Sequence, residues 1–372
     1  MRKLLILLVA AAFVFTMALP AMAADERTVT LYGSARMETF IQDFDKETSS
    51  SLNFDDKDLI WRLDASSSRF GARFKAGDLG GNVEIRPNSA SDMRHWYGTW
   101  NFGSGTLLLG QTWAPSFMPI CDECMIGGGG FLSGYGDLAG GLRTGQIRVT
   151  FPMKAVNGNL DLAALTPTSN TTDKGAFTAD TDATIPRLEA ALSFASGAIS
   201  GKVLAAYGSF DVVDTNNKDL SVDSYFLLAN VTGSFGPFWL SLAGGIGQNM
   251  ADYGYVSGNV FNAGYSTLSA GIVDVDQTRF VAELGFKLSD KAALFVNYAQ
   301  LSEERDSLTT AGVSDEDEKS AMAFGAIITV AKGFTMTPEV VITDEGERTT
   351  AGVKGLDRGN KKYYGIYWQI DF

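Results

Sequence analysis

Hydrophobic and polar residues alternate with a period of two along most of the chain. In residues 29–41 the odd positions are mostly apolar or small. Most of the even positions there are polar or charged, namely Thr30, Tyr32, Ser34, Arg36 and Glu38. The same alternation returns at 144–151, 187–194 and 279–288. Because successive side chains of a β-strand point to opposite faces, we predict strands that separate two different environments.

Short turns and longer polar segments alternate between these strands. The short turns fall near 78–81, 103–105, 196–197, 235–237, 289–290 and 332–333. The longer segments fall near 45–57, 114–142, 168–184, 212–220, 250–276, 304–318 and 346–360, and a shorter one falls at 88–93. The predicted strands are 28–44, 58–77, 82–87, 94–102, 106–113, 143–152, 159–166, 185–195, 199–211, 221–234, 238–249, 277–288, 291–302, 319–331, 334–344 and 361–372. This unbroken rhythm predicts one all-β domain, a 16-stranded antiparallel sheet over residues 24–372.

A membrane barrel and a soluble β-sandwich both contain alternating strands. Here arginine and glutamate occupy mid-strand positions on the polar faces. Aromatic residues gather near the strand ends: Trp96, Trp100, Phe102, Phe235, Phe238, Phe334, Tyr364 and Trp368. An apolar band bounded by aromatic residues is typical of a lipid-facing wall, and a closed barrel leaves no backbone unpaired in lipid. We therefore predict a transmembrane β-barrel.

Residues 1–23 have the pattern of a secretory signal peptide. Arg2 and Lys3 precede an apolar run at 4–15, and Ala21-Met22-Ala23 supplies a cleavage site. The alternative, a transmembrane anchor, would need about 20 apolar residues. Cleavage after Ala23 removes two basic residues and no acid, so the net charge of −13 becomes −15.

The charge and the histidine content exclude several function classes. A net charge of −13 argues against nucleic acid as a partner, which needs a basic face. The chain has one histidine, His95, so a histidine metal site or histidine-dependent catalysis is not expected. A barrel phospholipase or protease would need a partner for His95 that no motif supplies. We predict no enzyme, no cofactor and no metal.

The last strand ends on an aromatic residue. Its alternating apolar face consists of Tyr364, Ile366, Trp368, Ile370 and Phe372. This ending resembles the assembly signal that the barrel-assembly machinery recognises in outer-membrane barrels. An amphipathic edge strand that ends in phenylalanine by chance is the alternative.

Several segments of the first third resemble Gram-negative general porins. They are Val29-Thr30-Leu31-Tyr32-Gly33, residues 68–74, residues 78–85 and residues 102–111, which lead to Pro115. Gln111 departs from the pattern, because porins of this type commonly carry arginine there, so one pore-wall charge is expected to be missing. The resemblance implies a homotrimer of outer-membrane barrels with short periplasmic turns and long extracellular loops. It also implies passive diffusion of small hydrophilic solutes and ions, and contact with outer-membrane lipid and lipopolysaccharide.

In porins the third loop folds inward and narrows the pore, which here corresponds to residues 114–142. This loop is rich in glycine and carries Asp122, Glu123 and Asp137. The facing wall is expected to present Arg36, Glu38, Arg62, Asp64, Arg69, Arg73, Lys75, Glu84, Arg86 and Arg148. Opposed charges at a constriction set ion preference, although a plain solvated wall is the alternative. From the acidic net charge we hypothesise a weak cation preference.

Two local features leave alternatives open. Cys121 and Cys124 are the only cysteines, and export favours a disulfide between them over free thiols, half a metal site or a redox pair. The apolar positions change from odd at Leu63 to even at Phe70, so a bulge or bend is expected near Ser66.

A solute-specific channel, for phosphate or organic acids, and a plugged structural or adhesive barrel are the alternative functions.

Overall fold

The structure is a computed structural model that describes residues 27–44, 57–87, 93–124, 132, 134–138, 143–168, 177–214, 219–255, 261–266, 268 and 271–372. The predicted signal peptide lies outside the described residues, as does the glycine run at 127–130. Within the described part, no helix is long and apolar enough to cross a membrane.

The wall of the molecule contains 16 strands, as predicted. We number them by their place in the wall. They are β1 (Arg27–Phe44), β2 in two halves (Lys57–Leu63 and Arg69–Ala76), β3 (Leu79–Ile85), β4 (Met93–Asn101), β5 (Thr106–Trp113), β6 (Arg143–Met153), β7 (Gly158–Leu165), β8 (Arg187–Ser196), β9 (Ile199–Asp214), β10 (Asp219–Phe235), β11 (Phe238–Gln248), β12 (Asp276–Ser289), β13 (Ala292–Asp306), β14 (Ser314–Ala331), β15 (Phe334–Asp344) and β16 (Asn360–Asp371). A short 3-10 helix, Lys154–Val156, forms the turn between β6 and β7.

Each strand pairs antiparallel with the next, and β16 pairs with β1 to close the barrel. The last residue completes this closure, because Gly33 N donates to Phe372 O at 2.7 Å and Phe372 N donates to Gly33 O at 3.0 Å. Glycine at position 33 makes room for the Phe372 ring, since a Cβ there would lie 2.5 Å from the ring and would make it shift. The seam therefore depends on both ends of the chain.

The two faces of the wall differ as the alternation predicts. On β1, Val29 and Leu31 face outward and are 61% and 64% exposed, whereas Glu38 faces inward and is 1% exposed. The outer face of β16 carries the predicted set Tyr364, Ile366, Trp368, Ile370 and Phe372, which alternates with the inward Tyr363 and Tyr367. Apolar side chains without protein cover and buried polar side chains inside are the arrangement of a barrel surrounded by lipid.

The predicted irregularity in β2 is present. Both halves of β2 pair with β1, with Met37 opposite Leu63 and Ser34 opposite Arg69. The intervening turn is held by Asp64, whose Oδ1 accepts from Ser66 N and Ser67 N at 3.1 Å. Tyr367 O–H donates to the other Asp64 oxygen at 2.6 Å. The turn changes the parity of the strand, so Leu63 and Phe70 both face outward.

Three sequence predictions need correction. The segments 212–220 and 304–318 are not long loops, because β9, β10, β13 and β14 extend into them. Three long loops contain strands of their own: Phe177–Asp182, the pair Gly264–Ser266 and Gly271–Val273, and the pair Glu347–Thr350 and Val353–Asp357. Gln111 lies opposite the outward Trp96, so its difference from arginine removes no charge from the inner wall.

A hydrophobic core lies inside the barrel. The inner face of β7–β15 carries a cluster of small and apolar side chains, which we call the apolar wall: Ala163, Leu165, Ala191, Leu204, Ala206, Phe226, Leu228, Ala243, Val281, Phe295, Ala299, Ala321, Ala323 and Val341. Met118, Tyr135 and Leu138 of the third loop pack against it. Tyr253 and Tyr255 from the segment after β11 belong to the same core. The inner face of this side therefore combines an apolar cluster with buried polar side chains such as Glu189, Arg279 and Glu303.

Candidate functional site

The third loop crosses the lumen and is anchored on the apolar wall by carboxylates. Ser116 N and its hydroxyl donate to the two oxygens of Glu189 on β8, at 2.7 and 2.8 Å. Farther along, Asp122 N donates to Glu283 Oε2 at 2.5 Å and Cys124 N donates to Glu339 Oε2 at 3.0 Å. Hydrogen bonds to an ionised acceptor are stronger than neutral ones. Three strands, β8, β12 and β15, thus fix the position of the loop.

Two further side chains, Lys202 and Tyr135, make hydrogen bonds that hold the beginning and the later part of the loop. Lys202 Nζ on β9 donates to Pro115 O at 2.7 Å and to Phe117 O at 3.0 Å. Tyr135 O–H donates to Glu345 Oε1 at 2.5 Å. The pKa of the Tyr135 hydroxyl is raised by burial and by the Glu345 charge, so it stays a donor. Sequence reasoning missed these wall residues, because nothing in the sequence shows which wall the loop contacts.

The opposite wall, formed by β1–β6, carries most of the predicted charges. We call its inward side chains the basic wall. The basic members are Arg36, Arg62, Arg69, Arg73, Lys75, Arg86, Arg94, Arg143 and Arg148, and the acidic members are Glu38, Asp58, Asp64 and Glu84. Arg73 and Lys75 are exposed, and the Arg62 side chain is 58% exposed. Solvent therefore reaches this side of the lumen.

Three acidic members of the basic wall, Glu38, Asp64 and Glu84, are buried, whereas Asp58 is exposed. Glu38 is buried and accepts from Arg62 Nε at 2.5 Å. Glu84 is buried and accepts from Arg94 Nε at 2.5 Å and from Tyr32 O–H at 2.9 Å. Asp64 accepts hydrogen bonds from the backbone N–H groups of Ser66 and Ser67 in the β2 turn. The charges of Glu38 and Glu84 are neutralised locally by Arg62 and Arg94, so the exposed charge of this wall is mainly basic.

Arg94 and Arg143 were not predicted as site residues. Arg94 occupies a bulge in β4, where Glu84 lies opposite His95 and Ile85 lies opposite Met93, so strict alternation cannot place it. Arg143 stacks on Trp113 at 3.8 Å, and Trp113 stacks on Phe117 at the start of the third loop. The Nε atoms of Arg143 and Arg148 are buried without a hydrogen-bond partner among the described residues.

The acidic residues predicted in the third loop are only partly directed at the lumen. Glu123 is fully buried and accepts from Leu132 N at 2.8 Å. Asp137 is 3% exposed and faces the nearby Gly134 N. Asp122 is half-buried beside Glu283, and burial raises its pKa. The loop therefore presents less negative charge to the lumen than its sequence suggested.

His95 belongs to a buried network. Its Nδ1 lies 2.9 Å from Thr112 Oγ1, and its Nε2 lies 3.7 Å from Glu84 Oε1. Because Arg94 and Tyr32 also hold Glu84, this network links β3, β4 and β5. It supports the shape of the wall.

Cys121 and Cys124 are free thiols, so the disulfide that export favours is not formed. The amides at Asp122 and Cys124 are held by carboxylates of two different strands, which keeps this stretch of loop across the lumen. Burial raises the pKa of both thiols well above the ordinary value, and nearby Glu283 and Glu339 add to the effect.

Comparison with known proteins agrees with this geometry. A sequence profile of the family described as Gram-negative porin matches residues 8–307. No curated protein sequence matches the chain.

Solved structures with a similar fold are outer-membrane proteins. The outer-membrane channel DcaP of Acinetobacter baumannii has a TM-score of 0.68 and 17% identity, and the match covers 95% of this chain and 99% of that one. The anion-selective porin from Comamonas acidovorans has a TM-score of 0.63 and 12% identity, covering 93% and 100%. OmpT of Vibrio cholerae, in its trimer form, has a TM-score of 0.60 and 15% identity, covering 94% and 100%.

The thiols give a first prediction. Since the thiolate is the reactive form, alkylation of the folded protein by iodoacetamide at pH 8 should be slow and should speed up as the pH rises above 9. Denaturation without reductant should make both cysteines react, as counted by mass spectrometry. Failure of both to react until a reductant is added would show a disulfide.

The loop anchors give a second prediction. Glu339→Ala removes the acceptor of Cys124 N and should cost about 1.5–3 kcal/mol of anchoring. The single-channel conductance and its fluctuations should then increase. Glu339→Gln keeps an acceptor and should stay near wild type, and Glu318→Ala, on the outer face of β14, is the matched control. Unchanged conductance in Glu339→Ala would contradict the anchoring role.

Proposed function

The chain belongs to the Gram-negative porin family, and we propose that its water path runs along the basic wall and prefers anionic solutes. As a porin of the outer membrane it allows passive diffusion through its barrel. A 16-stranded barrel is wide enough to hold an aqueous channel. The preference for anions is carried by one observation, that exposed basic side chains line the side of the lumen which the third loop leaves open.

The local charge outweighs the net charge of the chain. Charges more than about 8–10 Å apart in solvent are largely screened at physiological ionic strength, so acidic residues on the outer rims act weakly on an ion inside the lumen. Arg69, Arg73 and Arg148 lie on the inner wall itself, where a ring of fixed charge acts on every passing ion. This supports a preference opposite to the weak cation preference that the net charge suggested.

The unpartnered atoms of the basic wall support the same preference. Arg143 and Arg148 each have a buried Nε that meets no hydrogen-bond partner in the part of the chain that the structure describes, and Arg69, Arg86 and Arg94 lie close enough to Arg143 to repel it. A passing phosphate or carboxylate group would lower this repulsion. One similar structure is named an anion-selective porin, and at 12% identity it supports the fold while the arginines carry the argument.

Several further properties follow from family membership as proposals. We infer a homotrimer, as in the trimer form of OmpT, that contacts lipid and lipopolysaccharide through its outer face. Cleavage after Ala23 would precede insertion, and the terminal strand that ends at Phe372 would be recognised by the barrel-assembly machinery. The family is one of channels, and we propose that this chain catalyses no reaction.

The selectivity can be measured from the reversal potential in a KCl gradient. The wild-type channel should pass chloride more readily than potassium. Arg69→Gln should lower the chloride-to-potassium permeability ratio by about fourfold, because one unit charge about 10 Å away in water changes the energy of each ion by ~0.4 kcal/mol in opposite directions.

The matched control is Arg27→Gln, since Arg27 lies on the outward side of β1 together with Val29. Its permeability ratio should equal that of wild type. A wild-type channel that selects potassium would refute the proposed preference.

A further inference from the structure

A second polar space lies beneath the third loop, on the side of the barrel opposite the basic wall. It is an alcove of about 770 Å³ at the short-turn ends of β7–β12. Residues 119–122 of the third loop form its upper boundary. No member of the basic wall lines this space, and its volume lies within the range of small-molecule binding sites, about 300–1,000 Å³.

An indole ring forms one side of the alcove. Trp239 on β11 lies opposite Gly285 on β12, and an added Cβ on Gly285 would fall 1.8–2.3 Å from three atoms of the ring. The ring therefore lies face-on over the glycine, against the wall. Trp239 Nε1 donates to Glu283 Oε1 at 2.9 Å, which fixes the ring. The other face of the indole ring points toward the alcove.

Hydrogen-bonding groups of both kinds surround this ring. Asp122 and Asp161 supply acceptors, Asn230 supplies an amide, and Ser200 supplies a hydroxyl. Lys202 also lines the alcove, but its ammonium donates to the carbonyl oxygens of Pro115 and Phe117. Mixed donors and acceptors beside a fixed aromatic face suit a neutral ligand that has an apolar ring face and many hydroxyl groups.

We propose that this alcove is a binding site for a saccharide of one or two rings. The C–H face of a sugar ring would stack on Trp239, where burial of aromatic surface supplies affinity. The sugar hydroxyls would bond to Asp161, Asn230 and Ser200. Such a site would hold neutral sugars briefly at the periplasmic end of the channel, so the sugar would be a specific ligand as well as a diffusing solute.

The test is block of ion current in a planar bilayer, with maltose and glucose added on the short-turn side. Maltose should reduce the potassium chloride current in a saturable manner. Trp239→Ala should weaken this block about tenfold, which corresponds to about 1.4 kcal/mol. Trp239→Phe keeps an aromatic face and should retain part of the block, and Asp161→Asn should weaken the block while leaving the ring in place.

Trp100→Ala is the matched control, because Trp100 lies on the outer face of β4 and should not change the block. Equal block in Trp239→Ala and wild type, or block by choline and not by maltose, would overturn the proposal. The test is independent of the anion preference, because the sugars are neutral and the reversal potential of Trp239→Ala is expected to match wild type.

Discussion

A sheet placed in hydrocarbon must pair all its backbone N–H and C=O groups, because no water is present to replace a missing partner. The fold of this chain follows from that requirement. The sheet closes where β1 pairs with β16 along residues 34–44, and Gly33 and Phe372 add two hydrogen bonds at the end of this seam. The missing side chain at Gly33 makes room for the terminal ring. Closure turns the alternation of side chains into an inside and an outside.

Packing of the third loop against the apolar wall then divides the interior of the barrel into two sides. Small and apolar residues on the inner face of β7–β15 would be costly to leave in water, and the third loop covers them with Met118 and Leu138. The carboxylates Glu189, Glu283 and Glu339 fix the loop there through its own amides. The loop thereby keeps water off the apolar wall and leaves the basic wall open to it. The same arrangement leaves the alcove at Trp239 under the loop, lined by residues other than those of the basic wall.

The sequence predicts the barrel well because a period of two is a local property. Each face of β1 or β16 can be assigned from a few neighbouring residues, and the change of parity between Leu63 and Phe70 revealed the turn at Asp64. The division of the lumen into a basic wall and an apolar wall, in contrast, is not a local property of the sequence. Leu204 and Ala206 look like any strand residues until Met118 is placed against the same core.

The candidate site residues also fall into two groups: those that local alternation places correctly, and those whose position depends on a bulge or on distant contacts. Arg36, Arg69 and Arg148 lie on the wall where alternation placed them. Alternation did not identify Arg94 as an inward residue, because a bulge shifts the register between Glu84 and Ile85. Glu123 and Asp137 were expected to face the pore, but burial within the loop depends on contacts, such as that with Leu132 N, that a sequence does not display.

Labelling of introduced cysteines tests the division of the lumen most directly. In a Cys121→Ser, Cys124→Ser background, Arg73→Cys places a thiol on the basic wall and Ala299→Cys places one on the apolar wall, both facing inward. A charged, membrane-impermeant maleimide added to the folded protein should label the first rapidly and the second only after denaturation. Equal labelling of the two positions in the folded barrel would contradict the account.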